Sequence, residues 1–193
     1  AAENVREDFP LGNIGAGYGA AAGRMKGGLG SASLVSDDGI QVGAIFAVNP
    51  VGSVVIPGTR HFWAWVLEQQ GEFGGLGAPE LTADIPLDMP MESRLAENTT
   101  IGVVATNVAL TKSEARRVAI MAHDGLARAI RPVHTPFDGD SIFALSTEKK
   151  ELSGARPMGV AMIGAMASDC VARSIARAVY NATSLGGIPG YLS

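Results

Sequence analysis

Cysteine is almost absent from this chain. One residue, Cys170, among 193 excludes an intrachain disulfide and points to a reducing compartment. No Cys-x-x-Cys or clustered Cys/His spacing announces zinc. Positive charge is also scarce. Fifteen Lys and Arg stand against 19 Asp and Glu, a net charge of -4, so no basic field exists to hold a nucleic-acid backbone. No uninterrupted apolar run reaches the ~18 residues of a membrane helix, and the longest, residues 158–167, leads into a polar continuation. An initiator Met and a signal-peptide shape are both missing from Ala1-Ala-Glu-Asn-Val-Arg-Glu-Asp-Phe-Pro10, which reads as the interior of a longer precursor. These absences set the expectation of a cytoplasmic protein with no nucleic-acid partner, no membrane partner and no cofactor.

Apolar residues are plentiful. They make up 47% of the chain against 18% charged, which excludes disorder and supports the core of one domain. Glycine is in excess, 25 of 193, against an average usage of about 7%. The glycines follow no fixed period, and a dense group fills residues 11–30. A strand is expected at residues 31–35, then an Asp37-Asp38-Gly39 turn suited to positive φ, then a buried strand over 40–48 closed by Asn49-Pro50. A short strand is expected at 52–56. Residues 57–98 read as a long irregular segment carrying Trp63 and Trp65, a type of segment that is usually functional. A strand over 101–110 precedes Thr111-Lys-Ser-Glu114, a capping box that opens a helix ended by Pro132. A strand at 141–147 and a long Ala- and Met-rich helix from Pro157 to Tyr180 complete a layered α/β pattern.

Several constellations carry potential chemistry. Gly15-Ala-Gly17-Tyr-Gly19-Ala20 fits G-x-G-x-x-G/A, with Asp37 about 20 residues on, but no buried strand precedes it. A glycine-rich structural loop, or one that brings backbone amides to a substrate, fits better. Asp138-Gly139-Asp140 is either a turn or a pair of carboxylates on one side of extended backbone, able to share a proton. It lacks the further acids of a calcium loop. The three histidines, His61, His123 and His134, accompany no G-x-S-x-G elbow. A core or capping role suits His123, and loop organisation suits His134. Asn98-Thr99-Thr100 closes the irregular segment directly before a strand. It matches a glycosylation sequon, a plain turn entering a strand, or a self-cleavage junction. A cut before Thr99 would pair its hydroxyl with its own α-amine, whose pKa near 7.7–8.0 leaves it partly neutral at neutral pH. These residues alone do not choose among the three.

Five motifs occur in order: Gly15-Ala-Gly-Tyr-Gly-Ala20, Lys26-Gly-Gly-Leu-Gly30, Val48-Asn-Pro-Val-Gly52, Asn98-Thr-Thr-Ile101 and His134-Thr-Pro-Phe-Asp-Gly-Asp140. Together they resemble the self-processing DmpA-like L-aminopeptidase/D-esterase family, which includes β-peptidyl aminopeptidases and the nylon-oligomer (6-aminohexanoate) endo-hydrolase. The resemblance spans residues 11–185. It implies an α/β fold, the four-layer αββα sandwich related to N-terminal nucleophile hydrolases. It implies a single cut between Asn98 and Thr99. Residues 1–98 are then the C-terminal part of the large subunit, and 99–193 the small subunit, within one domain. By the resemblance, Thr99 is the nucleophile and Asn49 the oxyanion donor. Asp138 and Asp140 position the nucleophile and its amine, and their Asp-Gly-Asp form is closer to the nylon-oligomer branch. The family's usual lysine falls on Arg24, with Lys26 two residues on, so both are candidate cations.

Family precursors are longer at the N-terminus, and the resemblance implies that the remaining portion of the precursor is a partner that completes the sheet core and pocket. Family members form homo-oligomers, so a dimer or tetramer is expected, with Trp63 and Trp65 as candidate contact residues. The implied substrates are small peptides or amides: peptides with free N-termini, D-amino-acid amides, β-peptides and nylon oligomers. The alternative is a nucleotide- or ligand-binding module built on loop 15–20.

Overall fold

The computed structural model describes residues 8–80, 85–87 and 98–193, so parts of the irregular segment expected over 57–98 lie outside the described residues. Its elements are β1 (Ala21–Ala22), β2 (Met25–Lys26), β3 (Gly28–Val35), β4 (Gln41–Val48), β5 (Ile101–Val108), α1 (Lys112–Ala129), β6 (Ser141–Lys150) and α2 (Arg156–Tyr180).

Strict alternation builds the sheet. In β4, Val42, Ala44, Phe46 and Val48 point to one face and are buried, while Gln41 and Ile45 point away and are exposed. The Asp37-Asp38-Gly39 turn, with Gly39 at φ 81°, returns the chain from β3 to β4 in antiparallel register, Val35 opposite Gln41. β5 pairs antiparallel with β4, Ala44 opposite Val104, and β6 pairs parallel with β5. The order is β3-β4-β5-β6. Parallel neighbours need a crossover, and α1 supplies it.

α1 starts where the capping box places it. The Thr111 hydroxyl accepts the Glu114 N–H, and the Glu114 carboxylate accepts the Thr111 N–H. Val118, Ala122, Leu126 and Ala129 form its buried stripe. α2 carries Pro157 in its first turn, where a missing N–H costs nothing. By length and composition α2 is apolar enough to cross a membrane, yet 67% of that stretch is buried inside the fold, as in a core helix. It packs on the sheet and on α1 through small residues. A Cβ added at Gly30 would lie 1.9 Å from the Ser174 carbonyl oxygen, and one at Gly125 would lie 2.3 Å from that of Ser168. Glycine lets these backbones meet. Burial pushes the Cys170 thiol up to about 12, so it behaves as a packing residue rather than a nucleophile.

Both helices cover one face of the sheet. On the other face Val35, Ile45, Ile101, Phe143 and Leu145 are exposed, Phe143 by 58% and Leu145 by 55%. The α/β class expected from the sequence holds, and the described residues build one four-stranded sheet and one helical layer of the expected four-layer arrangement, with β1–β2 as a separate two-stranded hairpin.

Two expectations change. β3 starts at Gly28, ahead of residue 31, because the last glycines of the glycine-rich stretch pair with β4. Residues 52–56 do not form a strand. Ser53 bridges Arg131 and Val55 bridges Phe62, so their backbone bonds go to loops instead of a ladder. In the irregular segment Trp63 and Trp65 are half-buried, and the Arg131 guanidinium lies 5.2 Å from the centroid of the Trp63 ring. Glu72 anchors the segment to α2. It accepts from Arg173 Nε at 2.5 Å and Nη2 at 3.0 Å.

Candidate active site

Three strand ends converge on Thr99. β4 stops at Val48 because Pro50 has no N–H to continue the ladder. The Asn49 carbonyl still accepts the Thr99 N–H at 2.9 Å, in line with the β4–β5 register that sets Ala47 opposite Ile101. On the other side, Asn98 bridges Asp138 in parallel register, and the Asn98 carbonyl accepts the Gly139 N–H at 3.0 Å. The backbone around Thr99 is therefore held from both flanks before β5 begins at Ile101.

The Thr99 hydroxyl donates to the Asn98 carbonyl oxygen at 2.6 Å. That oxygen thus receives two donors, the hydroxyl of the following residue and the Gly139 amide. Gly139 also faces the hydroxyl directly, since a Cβ there would lie 2.8 Å from Thr99 Oγ1.

Asp138 and Asp140 brace this junction from different sides. Asp138 Oδ1 accepts the Val51 N–H at 3.0 Å, and Oδ2 accepts the Thr135 N–H at 3.0 Å and hydroxyl at 2.6 Å. It thereby ties the Asn49-Pro50-Val51 corner to the 135–138 loop. Asp140, with a side chain only 2% exposed, accepts the Thr100 N–H on Oδ1 at 2.8 Å and bonds His134 Nδ1 through Oδ2 at 2.8 Å. The two carboxylates thus divide their bonds, Asp138 to Val51 and Thr135 and Asp140 to Thr100 and His134, on either side of Gly139.

Asn49 is oriented by its side chain as well. Its Oδ1 accepts the Ala21 N–H at 2.9 Å, which fixes the oxygen end of the amide and turns the NH2 end elsewhere. Ala21 pairs with Lys26 across the β1–β2 hairpin. Lys26 is 2% exposed and its ammonium donates to the Tyr18 carbonyl at 3.2 Å, whereas Arg24 lies exposed at the hairpin tip. The structure therefore gathers Asn49, Asn98, Thr99, Asp138 and Asp140, links the Lys26 backbone to Asn49 through Ala21, and exposes the Arg24 side chain. Loop 15–20 contains a short 3-10 turn, Gly15–Gly17, and among the described residues neither a strand precedes it nor an α-helix follows directly, so the frame of a dinucleotide site is missing there.

Two histidines belong to this neighbourhood beyond their expected roles. His134 Nε2 lies 3.4 Å from His123 Nδ1, which extends the Asp140 contact onto α1. Burial first, and then the neighbouring His134, lower the pKa of His123 and favour its neutral form. Their separation in sequence hid the pair; its only signal was His134 six residues ahead of Asp140.

Residues 1–192 match Peptidase family S58. The chain belongs to that family. An uncharacterized aminopeptidase of Mycobacterium tuberculosis (strain ATCC 25618 / H37Rv) is 41% identical over 196 residues, covering 95% of this chain and 56% of its own length. A 6-aminohexanoate-oligomer endohydrolase of Paenarthrobacter ureafaciens is 29% identical over 192 residues, covering 86% of this chain and 49% of its own. The solved L-aminopeptidase D-Ala-esterase/amidase from Ochrobactrum anthropi, a variant of the Ntn-hydrolase fold, superposes with a TM-score of 0.66 at 22% identity, over 98% of this chain and 50% of that one. That likeness concerns the fold. This S58 chain spans about half the length of the curated relatives it matches.

Proposed function

We propose that this chain is the nucleophile-bearing part of a self-processing amide hydrolase of the aminopeptidase type, with Thr99 as the nucleophile. The observation that carries the reading is the contact of Thr99 Oγ1 with the Asn98 carbonyl oxygen at 2.6 Å while Gly139 N–H holds that same oxygen. In processing, the hydroxyl attacks the Asn98 carbonyl carbon and loses its proton. The Asn98–Thr99 C–N bond breaks, and the Thr99 nitrogen takes a proton and leaves as the free amine. Water then hydrolyses the Asn98 ester, returning the hydroxyl to Thr99 and a carboxyl group to Asn98. The products are residues 1–98 and 99–193.

In turnover the new α-amine stays on the Asn49 carbonyl, its partner as an amide, and serves as base for its own hydroxyl. A substrate amide then occupies the place of Asn98. On this reading the Gly139 N–H stabilises its oxyanion, and the family resemblance assigns the Asn49 side chain to the same task. The buried Lys26 is favoured over the exposed Arg24 as the cation of the site. The substrate class is small amides, with peptides bearing a free N-terminus first, since the more similar relatives are named aminopeptidases and the less similar ones oligomer endohydrolases.

The exposed apolar face around Ile45, Ile101, Phe143 and Leu145 supports docking of the remaining N-terminal portion of a precursor as a second sheet. A homodimer or homotetramer of the processed pair is the proposed assembly. Intact-mass measurement and N-terminal sequencing of the full chain test the reading. A fragment beginning Thr-Thr-Ile-Gly is expected, and Thr99→Ala should remain whole. An active wild-type protein that stays uncut overturns it.

A further inference from the structure

We infer that His134, backed by His123, is a positioning residue that holds the Asp140 carboxylate on the Thr100 amide and so sets the register of Thr99. The inference rests on the reading of Thr99 as nucleophile for its consequence, but its geometric content stands separately.

A carboxylate as buried as Asp140 needs donors on both oxygens. Oδ1 has the Thr100 N–H, and Oδ2 has His134 Nδ1. No lysine or arginine contacts Asp140 among the described residues, so His134 is the only side chain there that satisfies it. With Asp140 ionised, Nδ1 of His134 carries the hydrogen. Its Nε2 then faces His123 Nδ1 at 3.4 Å, with ring centroids 5.1 Å apart. A neutral His123 can donate from Nδ1 to a neutral His134, or accept from a charged one. Either way the second imidazole limits rotation of the first.

The backbone is also committed to this arrangement. His134 sits at φ 52°, a left-handed conformation uncommon for a residue with a side chain. The loop holds it there while the side chain reaches Asp140. The resulting chain runs His123, His134, Asp140, Thr100, and Thr100 adjoins the residue whose N–H rests on the Asn49 carbonyl. Removing His134 leaves Oδ2 unsatisfied. Asp140 can then leave the Thr100 amide to find water, and Thr99 loses the restraint on its C-terminal neighbour.

Two variants of the full chain separate positioning from simple structural loss. His134→Ala removes the donor. His134→Asn keeps an N–H at the same distance from the backbone and tolerates the left-handed φ. Pulse-chase mass spectrometry gives the cleavage rate at Asn98–Thr99, and NMR hydrogen exchange gives protection of the Thr100 amide. His134→Ala should slow cleavage by about 10–100-fold, the usual cost of a lost orienting partner, and speed Thr100 exchange by about as much. His134→Asn should restore most of both. An unaltered cleavage rate or a still-protected Thr100 amide in His134→Ala overturns the inference, and so does a His134→Asn variant as defective as His134→Ala. If the wild-type chain is never cut, the reading of Thr99 fails, and Thr100 exchange alone decides the role of His134.

Discussion

The α-carbon of Gly139 faces the hydroxyl of Thr99 so closely that a Cβ there would lie 2.8 Å from Oγ1. Its amide meanwhile holds the carbonyl beside that hydroxyl at 3.0 Å. One residue thus supplies both the donor and the space. Gly139→Ala should displace the hydroxyl and slow self-cleavage by about 100-fold, the scale of an ångström-sized misplacement. The folded state should persist. Cleavage time courses alongside circular dichroism check this, and wild-type rates in Gly139→Ala would contradict it.

Asn49 acts through two groups. Its main-chain carbonyl, which holds Thr99, survives any substitution except a backbone change. Its side chain does not. Asn49→Ala should lower turnover by about 100–1000-fold, as loss of an oxyanion donor does elsewhere. It also strips the Ala21 N–H of its partner, at a cost of about 1–3 kcal/mol. Steady-state kinetics on an aminoacyl p-nitroanilide and a urea melt measure the two effects separately.

Glu72 holds the irregular segment to α2 through Arg173, whose side chain is 7% exposed. Glu72→Ala would leave a buried guanidinium without its carboxylate. A loss of about 3–5 kcal/mol of unfolding free energy is expected by denaturant titration. A change below 1 kcal/mol would show that water replaces the carboxylate.

Glu114 gives a pH signature. Arg156 first, then the Thr111 amide and hydroxyl, lower its carboxyl from 4.5 to about 2. A depressed carboxyl pKa stabilises the fold above the unfolded value and loses that contribution as pH falls through the folded one. The Glu114 contribution should thus be full above about pH 4.5 and vanish toward pH 2. Glu114→Gln should melt below wild type at neutral pH and converge with it near pH 2, by thermal scans across that range. Parallel stability curves at all pH values would refute it.

Much of the frame was legible in the chain. The strands over 40–48 and 101–110 and the Thr111-Lys-Ser-Glu114 box were readable because apolar runs and capping are local properties, set within a few residues. That Val42, Ala44 and Phe46 are covered while Ile45 is exposed followed only from the helices packing on one face. The region 52–56 misled because a short apolar run carries no period long enough to say whether a ladder partner exists. The site was legible in its parts. Asn49, Asn98, Thr99, Asp138 and Asp140 stood out in five ordered motifs, but their mutual bonds did not.

Local pattern therefore determined the strands of the four-stranded sheet and the cap of α1. Tertiary structure decided which groups face one another. It put the Asn49 carbonyl on the Thr99 amide, separated Asp138 from Asp140 by their partners, buried Lys26 while leaving Arg24 exposed, and brought His123 of α1 onto His134. Those outcomes depend on where three strand ends and a helix meet, and the packing of the whole sheet against α1 and α2 sets that meeting point rather than any run of neighbouring residues.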